Sequence, residues 1–281
     1  MNYELIDSGG GRRLERWNNY ILDRPDPEVL WQKYLPESEW EKANAKFDNG
    51  WKNEDVPEKW EMEHSGLKFW AKLTPFKHTG IFPEQASQWD YVSDKLEGRN
   101  ANVLCLFAYT GIATLFAAKS GAKVTHVDAS RPAVSWASEN RDLNGMQEAP
   151  IRWIVDDVQK FVAREVKRGV KYDAIIMDPP VYGHGAGGET WDFGKDFPKL
   201  LENCKKLLSE NPLFVLVNAY AVSTSSTTLA NTLQGILGEF GGSVENGELT
   251  LKETHRAIGP PGPEASAGRT LSTGIWAKWS K

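Results

Sequence analysis

The sequence predicts an α/β protein built on a doubly wound, mostly parallel seven-stranded sheet with an antiparallel edge, preceded by a small β-rich N-terminal region. Three observations carry that expectation. From about residue 91 onward, short apolar runs alternate five times with longer amphipathic ones, the order expected of β-α units. The apolar runs are nearly continuous, as strands covered on both faces must be. The final two have no amphipathic stretch between them, so they pair antiparallel at one edge.

Residues 1–90 hold seven of the twelve tryptophans and little long helical periodicity. YELIDS and RRLERW flank Gly9-Gly10-Gly11, while WEMEH and LKFWAKL flank Ser65-Gly66. Each pair reads as a hairpin closed by a glycine turn. WQKYLPESEWEKANAKF reads as a short helix or loop, and the tryptophans as core and hairpin packing. The β-α series then begins with the strand NANVLCLFA and the helix IATLFAAKSG. The strand AKVTHVDA leads to the helix RPAVSWASENRDLNG, with Pro132 in its first turn and Gly145 at its end, the asymmetry helices favour. IRWIVDD precedes VQKFVAREVKRG, YDAIIMD precedes FGKDFPKLLENCKKLLS, and PLFVLVNAY precedes STTLANTLQGILGEF. ELTLKETH and LSTGIWAKWS, joined by GPPGPEASAG, close the chain. Two domains are expected: 1–90, a β-rich and Trp-rich region, and 91–281, the α/β domain.

The chain has 281 residues, 40% of them hydrophobic and 25% charged, ordinary values for a globular protein that buries a real core. No stretch approaches the roughly 20 apolar residues that span a bilayer, and MNYELIDSGGGRRLERW lacks a signal peptide's basic start and apolar middle. A cytoplasmic location without a membrane partner is expected. Cys105 and Cys204 belong to no metal-type spacing, so no metal site is expected and both read as reduced packing residues. The net charge is −5, with 12 basic against 17 acidic residues up to position 90 and 21 of each beyond it. Tight nucleic-acid binders usually carry a basic excess; here only a local patch could serve.

Doubly wound sheets bind ligands beyond the carboxyl ends of their strands. The first strand runs into FAYTGIA, which has Gly111 but no second glycine. A dinucleotide's pyrophosphate wants G-x-G-x-x-G, so nicotinamide and flavin cofactors are disfavoured. Asp128 ends the next strand, placed to accept from ribose hydroxyls. Asp156 and Asp157 end the third, where a carboxylate can accept from an adenine amino group while the N–H of Val158 meets a ring nitrogen. Each acid taken alone is equally an N-cap; three at successive strand tips point to a nucleoside. In YDAIIMDPPVYGH, Asp178 ends a buried strand and Pro179 and Pro180 fix a rigid turn. Tyr182 is placed to stack on a flat ring, although the same residues can be a strand terminator and a packing tyrosine. GHGAGG reads as a lid-like loop, His184 as a candidate base or a solvated loop residue, and Asn218 and Tyr220 as substrate contacts.

These segments carry a resemblance. FAYTGIA, HVDAS, ASENRDLNG, VDDVQKF and KYDAIIMDPPVYG, in that order and spacing, resemble class I S-adenosylmethionine-dependent methyltransferases, and most closely the group containing the bacterial large-subunit rRNA cytosine methyltransferases. KHTGIFPEQ is similar to the family's T-G-x-F-x-D-Q segment. The resemblance covers roughly residues 70–225 and implies a Rossmann-like fold with S-adenosyl-L-methionine as cofactor. It further implies that Phe107, Ala108 and Gly111 wrap the methionine end, Asp128 with Ala129 holds the ribose, and Asp157 with its neighbours Asp156 and Val158 holds the adenine. Thr79, Phe82 and Gln85 would close the pocket, and Asp178 would face the reacting methyl with Pro179 and Tyr182 beside it. The chain departs from the pattern in Ala86, where the family usually has Arg, and in Pro83-Glu84, where Leu-Asp is common; the family's small N-terminal RNA-binding domain is not recognisable, and the Trp-rich hairpin region stands in its place.

Methylating carbon 5 of a pyrimidine requires a thiolate that first adds to the ring. The relatives' cysteine follows the fifth strand, where this chain has LVNAYAVS, so C5 chemistry is not expected. The expected activity is methyl transfer to a nitrogen of RNA, rRNA in the first instance. A small-molecule or protein substrate and a non-catalytic cofactor-binding module are the alternatives.

Overall fold

The computed structural model describes residues 1–53, 55–184, 190–255 and 268–281. The chain divides into two compact units, Met1–Ala86 with Thr250–Thr273, and Ser87–Leu249 with Gly274–Lys281.

The first unit holds β1 (Tyr3–Gly9), β2 (Arg12–Trp17), β3 (Tyr20–Pro25), α1 (Glu37–Trp40), β4 (Ala45–Phe47), β5 (Trp51–Asn53), β6 (Trp60–His64) and β7 (Leu67–Ala71). Strands β1 to β5 form one sheet in sequence order and β6–β7 a separate hairpin. Both expected hairpins are present, turned by Gly10 and Gly11 at φ 59° and 74° and by Ser65 and Gly66 at 46° and 73°, conformations glycine adopts without penalty. Sequence patterning missed β3, β4 and β5, and only four residues of the expected 31–47 helix or loop are helical. Trp17, Leu14, Leu22, Met62 and Phe69 fill the interior.

That interior also holds charge. Glu15 is fully buried and binds Arg24 through both oxygens, one contact being Nη2 to Oε1 at 2.9 Å. Arg13 Nε lies 3.0 Å from Asp26 and its Nη1 3.8 Å from Glu15. Burial pushes the Glu15 carboxyl up, but Arg24 and Arg13 outweigh it and hold it at about 2.

Residues 250–273 fall in the first unit and pack with its N-terminal strands. Thr254 and His255 donate backbone N–H groups to Leu5 and Ile6, and Leu251 and Leu271 pack with Leu5 and Val29. Asp7, Glu253, His255 and Arg269 complete this fastening, with Arg269 Nε 2.8 Å from Glu253 and Nη2 3.1 Å from Asp7.

The second unit comprises α2 (Ala86–Leu96), β8 (Asn102–Leu106), α3 (Ile112–Lys119), β9 (Lys123–Asp128), α4 (Arg131–Leu143), β10 (Ile151–Val155), α5 (Val158–Arg168), β11 (Ala174–Met177), β12 (Tyr182–His184), β13 (Thr190–Asp192), α6 (Phe193–Leu207), β14 (Phe214–Ala219) and α7 (Ser226–Leu237), followed by β15 (Ser243–Lys252) and β16 (Thr270–Ser280), whose residues are divided between the two units. The seven-stranded sheet has the order β10-β9-β8-β11-β14-β16-β15. Strands β8 to β11 and β14 pair in parallel, and β14 pairs antiparallel with β16. One face, with Leu104, Leu106, Ile175, Met177 and Val217, packs on α5, α6 and α7. The other, with Val103, Cys105, Ile176 and Leu216, packs on α2 and α3. Each expected β-α unit is present. Helix α2 and the β12–β13 hairpin were not foreseen. Among the described residues, no helix is long and apolar enough to cross a membrane.

Replacing Glu15 by Gln leaves buried guanidinium groups without their counter-charge, and a loss of about 3–5 kcal/mol is expected at neutral pH. The carboxyl titrates below its ordinary value, so its stabilisation is present above about pH 4.5 and is lost as pH falls towards 2. Melting temperatures of wild type and Glu15→Gln should therefore converge across that window; a constant gap would refute the assignment.

Candidate active site

The chain leaves β8 for β9 and β10 on one side and returns to β11 on the other. The switch point, and with it the crevice expected for a ligand, lies beyond the carboxyl ends of β8 and β11.

The turn leaving β8 is unusual. Phe107, Tyr109 and Gly111 adopt φ values of 52°, 48° and 78°, and left-handed backbone at two non-glycine residues persists only where the surroundings enforce it. Asp128 Oδ2 accepts from the Tyr109 N–H at 2.8 Å, and Val127 O from Ala108 at 3.1 Å. From behind, Asn140 of α4 donates to Thr110 O at 3.0 Å. A Cβ on Gly111 would sit 2.7 Å from that of Ala137, so the turn's backbone lies directly on α4. Beneath it, His126 meets Thr114 Oγ1 through Nδ1 at 2.9 Å, and burial lowers its pKa to about 3, keeping it neutral.

Asp128 also accepts from Ser130 N–H at 2.8 Å. Burial raises its pKa, against these two backbone bonds. Each carboxylate oxygen still has acceptor capacity, which suits a pair of ribose hydroxyls. Ala129 follows, exposed. Asp157 caps α5, accepting from Lys160 N–H at 2.9 Å, and the buried Val158 opens that helix. Asp156 is engaged differently: its carboxylate pairs with Arg164. The cap reading of Asp157 is thus realised without using up its acceptors.

Asp178 adjoins the same turn, its N–H directed at Leu106 O 3.4 Å away. Pro179 is buried and Pro180 exposed. The Pro180 carbonyl accepts from Trp191 Nε1 at 2.6 Å, and the Trp191 ring lies 5.2 Å from that of Phe107. Trp191, which sequence reasoning missed, therefore braces the elbow against the turn. Tyr182 stands 71% exposed beside them. His184 pairs with Thr190 in the β12–β13 hairpin. The proposed lid, GHGAGG, lies largely outside the described residues.

Met177 and Val217 are register partners, so Asp178 and Asn218 follow side by side, and strand alternation puts them on the face covered by α2. Asn218 is 3% exposed and its Oδ1 has no hydrogen-bond partner. Tyr220 leans over β16 where Gly274 leaves room; a Cβ there would meet its ring at 2.8 Å. Helix α2 leads into the start of β8 and so runs against the strands, which places its first turn at the carboxyl-end pole. Gln88 in that turn is 7% exposed, with neither Oε1 nor Nε2 partnered. Both side chains therefore offer polar atoms at the carboxyl-end pole. A nucleoside amino acid with ribose, amine and carboxylate groups fits this donor and acceptor set.

Thr79, Phe82 and Gln85 lie together in the first unit, Gln85 donating its N–H to Phe82 O at 3.0 Å. The Thr79 hydroxyl is buried without a partner. In the same unit, Asp7, Glu253 and His255 are close enough to share a metal ion. Their carboxylates already accept from Ser8, Leu35, Trp40 and Arg269, so a cation would have to displace that arginine. Burial raises the Cys105 thiol to about 12 and raises that of Cys204 as well, so neither is a ready thiolate.

A family model described as S-adenosylmethionine-dependent methyltransferase matches residues 29–232. The crystal structure of the SAM-dependent methyltransferase from Agrobacterium tumefaciens is similar at 38% identity and TM-score 0.93, covering 100% of this chain and 90% of that one. A structure complexed with SAH shares the fold at 18% identity and TM-score 0.72, over 99% of this chain and 75% of that one. Ribosomal RNA large subunit methyltransferase K/L of Shewanella frigidimarina is 37% identical over 56% of this chain and 22% of its own length. Ribosomal RNA large subunit methyltransferase K of Neisseria meningitidis serogroup B is 30% identical over 56% and 44%. The chain thus spans less than half the length of these curated relatives.

Replacing Gln88 by Leu removes two unpartnered buried polar atoms and should leave the melting temperature equal or higher. If Gln88 contacts the ligand, calorimetric titration with S-adenosylmethionine should show affinity reduced about tenfold or more, the value of one to two lost hydrogen bonds. Unchanged affinity would return Gln88 to the core.

Proposed function

Because the chain belongs to the S-adenosylmethionine-dependent methyltransferase family, we propose that it transfers the cofactor's methyl group to an amino nitrogen of an RNA base, in ribosomal RNA. S-adenosylmethionine, when bound, supplies the methyl as a sulfonium, an in-line electrophile that needs alignment above all. In this reading Asp128 takes the ribose hydroxyls, Asp157 and the Val158 N–H the adenine, and the Phe107–Gly111 turn the methionine end.

The observation that carries the nitrogen assignment is the adjacent pair Asp178 and Asn218, two acceptors with Asn218 Oδ1 buried and unpartnered. An exocyclic amine brings two N–H donors and a lone pair delocalised into its ring. Holding both hydrogens on acceptors localises that lone pair and stabilises the positive charge that develops at nitrogen. The Asp178 carboxylate then takes the departing proton. Carbon 5 of a pyrimidine offers no donor to this pair and needs a thiolate, which the raised pKa values of Cys105 and Cys204 and their burial disfavour. Tyr182, largely exposed beside the elbow, gives the base a ring to stack on, worth about 1–3 kcal/mol. The RNA assignment draws on the ribosomal RNA methyltransferases the chain resembles. A second reading, a small-molecule or protein amine, is favoured by the net charge of −5.

Labelled methyl transfer to ribosomal RNA and to protein extract from a strain lacking this protein separates the two readings. Label in protein alone would overturn the RNA assignment. Within the first, Asp178→Asn and Asn218→Ala should lower kcat about 100-fold and about 10- to 100-fold while cofactor affinity stays within a few-fold. If both variants kept wild-type turnover, the acceptor pair would have no part in the chemistry.

A further inference from the structure

We infer that the exposed face of α5, with the groove at the amino ends of β8, β9 and β10, is a docking surface for an RNA phosphodiester backbone. The inference rests on the RNA reading above and adds where the strand is gripped.

The first observation is a groove of about 480 Å³ lined by Asn102, Thr125, Tyr172, Lys123, Arg152 and Lys171 among others. Every charged residue on its wall is a cation. The second is a stripe on α5: Lys160, Arg164, Lys167 and Arg168 are all exposed, at i, i+4, i+7 and i+8, the spacing of a single helical face. The helix's one acid, Glu165, is buried, where it accepts from Arg152, Arg168 and the Tyr172 hydroxyl. Arg164 faces Asp156. These pairs spend part of the arginines' charge and fix their direction. Lys123 and Lys167 meet no acid among the described residues, and Lys171 Nζ reaches only the Lys206 carbonyl, 2.8 Å away.

Position makes this concentration useful. Helix α5 begins at Asp157, at the crevice, and ends beside the groove at the opposite pole. Its 11 residues cover about 16 Å. The stripe therefore leads from the reacting end to the groove along β10, the outer strand of the sheet. In a chain of net charge −5, cations gathered on one such track match a polyanion lying along it. An RNA strand with one base in the crevice has that form, whereas a small-molecule amine would need no such track.

The test uses the full chain and a labelled single-stranded fragment of large-subunit ribosomal RNA, with binding followed by anisotropy between about 50 and 200 mM salt. In the triple variant Lys123→Gln, Lys167→Gln, Lys171→Gln, the dissociation constant should rise about tenfold or more. The slope of log affinity against log salt should shrink by about 2, at roughly 0.7 per lost phosphate contact. The Lys→Arg triple variant should bind as wild type, and all should melt alike. Asp178→Asn should keep binding while losing transfer. If wild type methylates and binds RNA but the Gln triple variant shows an unchanged slope, the docking surface is wrong and the substrate reading survives. If wild type neither binds nor methylates RNA, both fail. Equal loss of binding to polyglutamate or to anionic phospholipid vesicles would also overturn an RNA-specific role.

Discussion

The hydrogen bond from the Tyr109 N–H to Asp128, at 2.8 Å, is the contact on which the site depends. It joins the ends of two neighbouring strands and holds a turn whose residues Phe107 and Tyr109 would relax away from positive φ if released. Asn140 pulls on the same turn from α4, and the missing Cβ of Gly111 lets the backbone rest on Ala137. The turn in turn sets Phe107 against Trp191, and Trp191 holds the carbonyl of Pro180. One carboxylate thus organises both the turn after β8 and, through two aromatic rings, the elbow after Asp178. Its raised pKa follows from the same burial that makes the bond strong.

Much of this was legible in the sequence, because parallel strands covered on both faces must be apolar throughout and cannot be mistaken for half-exposed ones. NANVLCLFA, AKVTHVDA and YDAIIMD end close to where the structure ends them, and their acidic tips stand at the carboxyl-end pole. Helix α2 was not legible. Its buried stripe at 88, 92 and 96 opens with Gln88, so a polar residue broke the periodicity at the position where a ligand contact is now argued. The β12–β13 hairpin was hidden by the glycines that suggested a loop, while Trp191 gave no periodic signal at all. In the first unit, Arg13, Glu15 and Arg24 look like the solvated face of a strand. Only the fold reveals that they face inward and neutralise one another.

The same distinction between sum and placement governs the chain's charge. A total of −5 argues against a polyanion partner only if charge is spread evenly. Glu15, Glu165, Asp7 and Glu253 are all buried in ion pairs with arginines. Each such pair removes a cation along with its acid and leaves the sum unchanged, so the field outside depends on where the remaining charges lie. Among the described residues Lys123 and Lys167 meet no acid, and their field reaches solvent.

The missing cysteine and the orphaned asparagine bear on the same question from opposite sides. A fold that activates a carbon must supply a nucleophile of its own, and the end of β14, where one would stand, holds Asn218 and Ala219, with Tyr220 next. A fold that methylates an amine must supply acceptors, and that is what the position holds. An amide oxygen 3% exposed without a partner costs the folded chain on the order of 1–3 kcal/mol. An apolar residue there would avoid that cost, and in the proposed reading the incoming amine satisfies the oxygen. In that reading, Asp178 on the neighbouring strand offers the second acceptor, and the pair would suit an incoming group with two hydrogens to give, which an amine has and a ring carbon lacks.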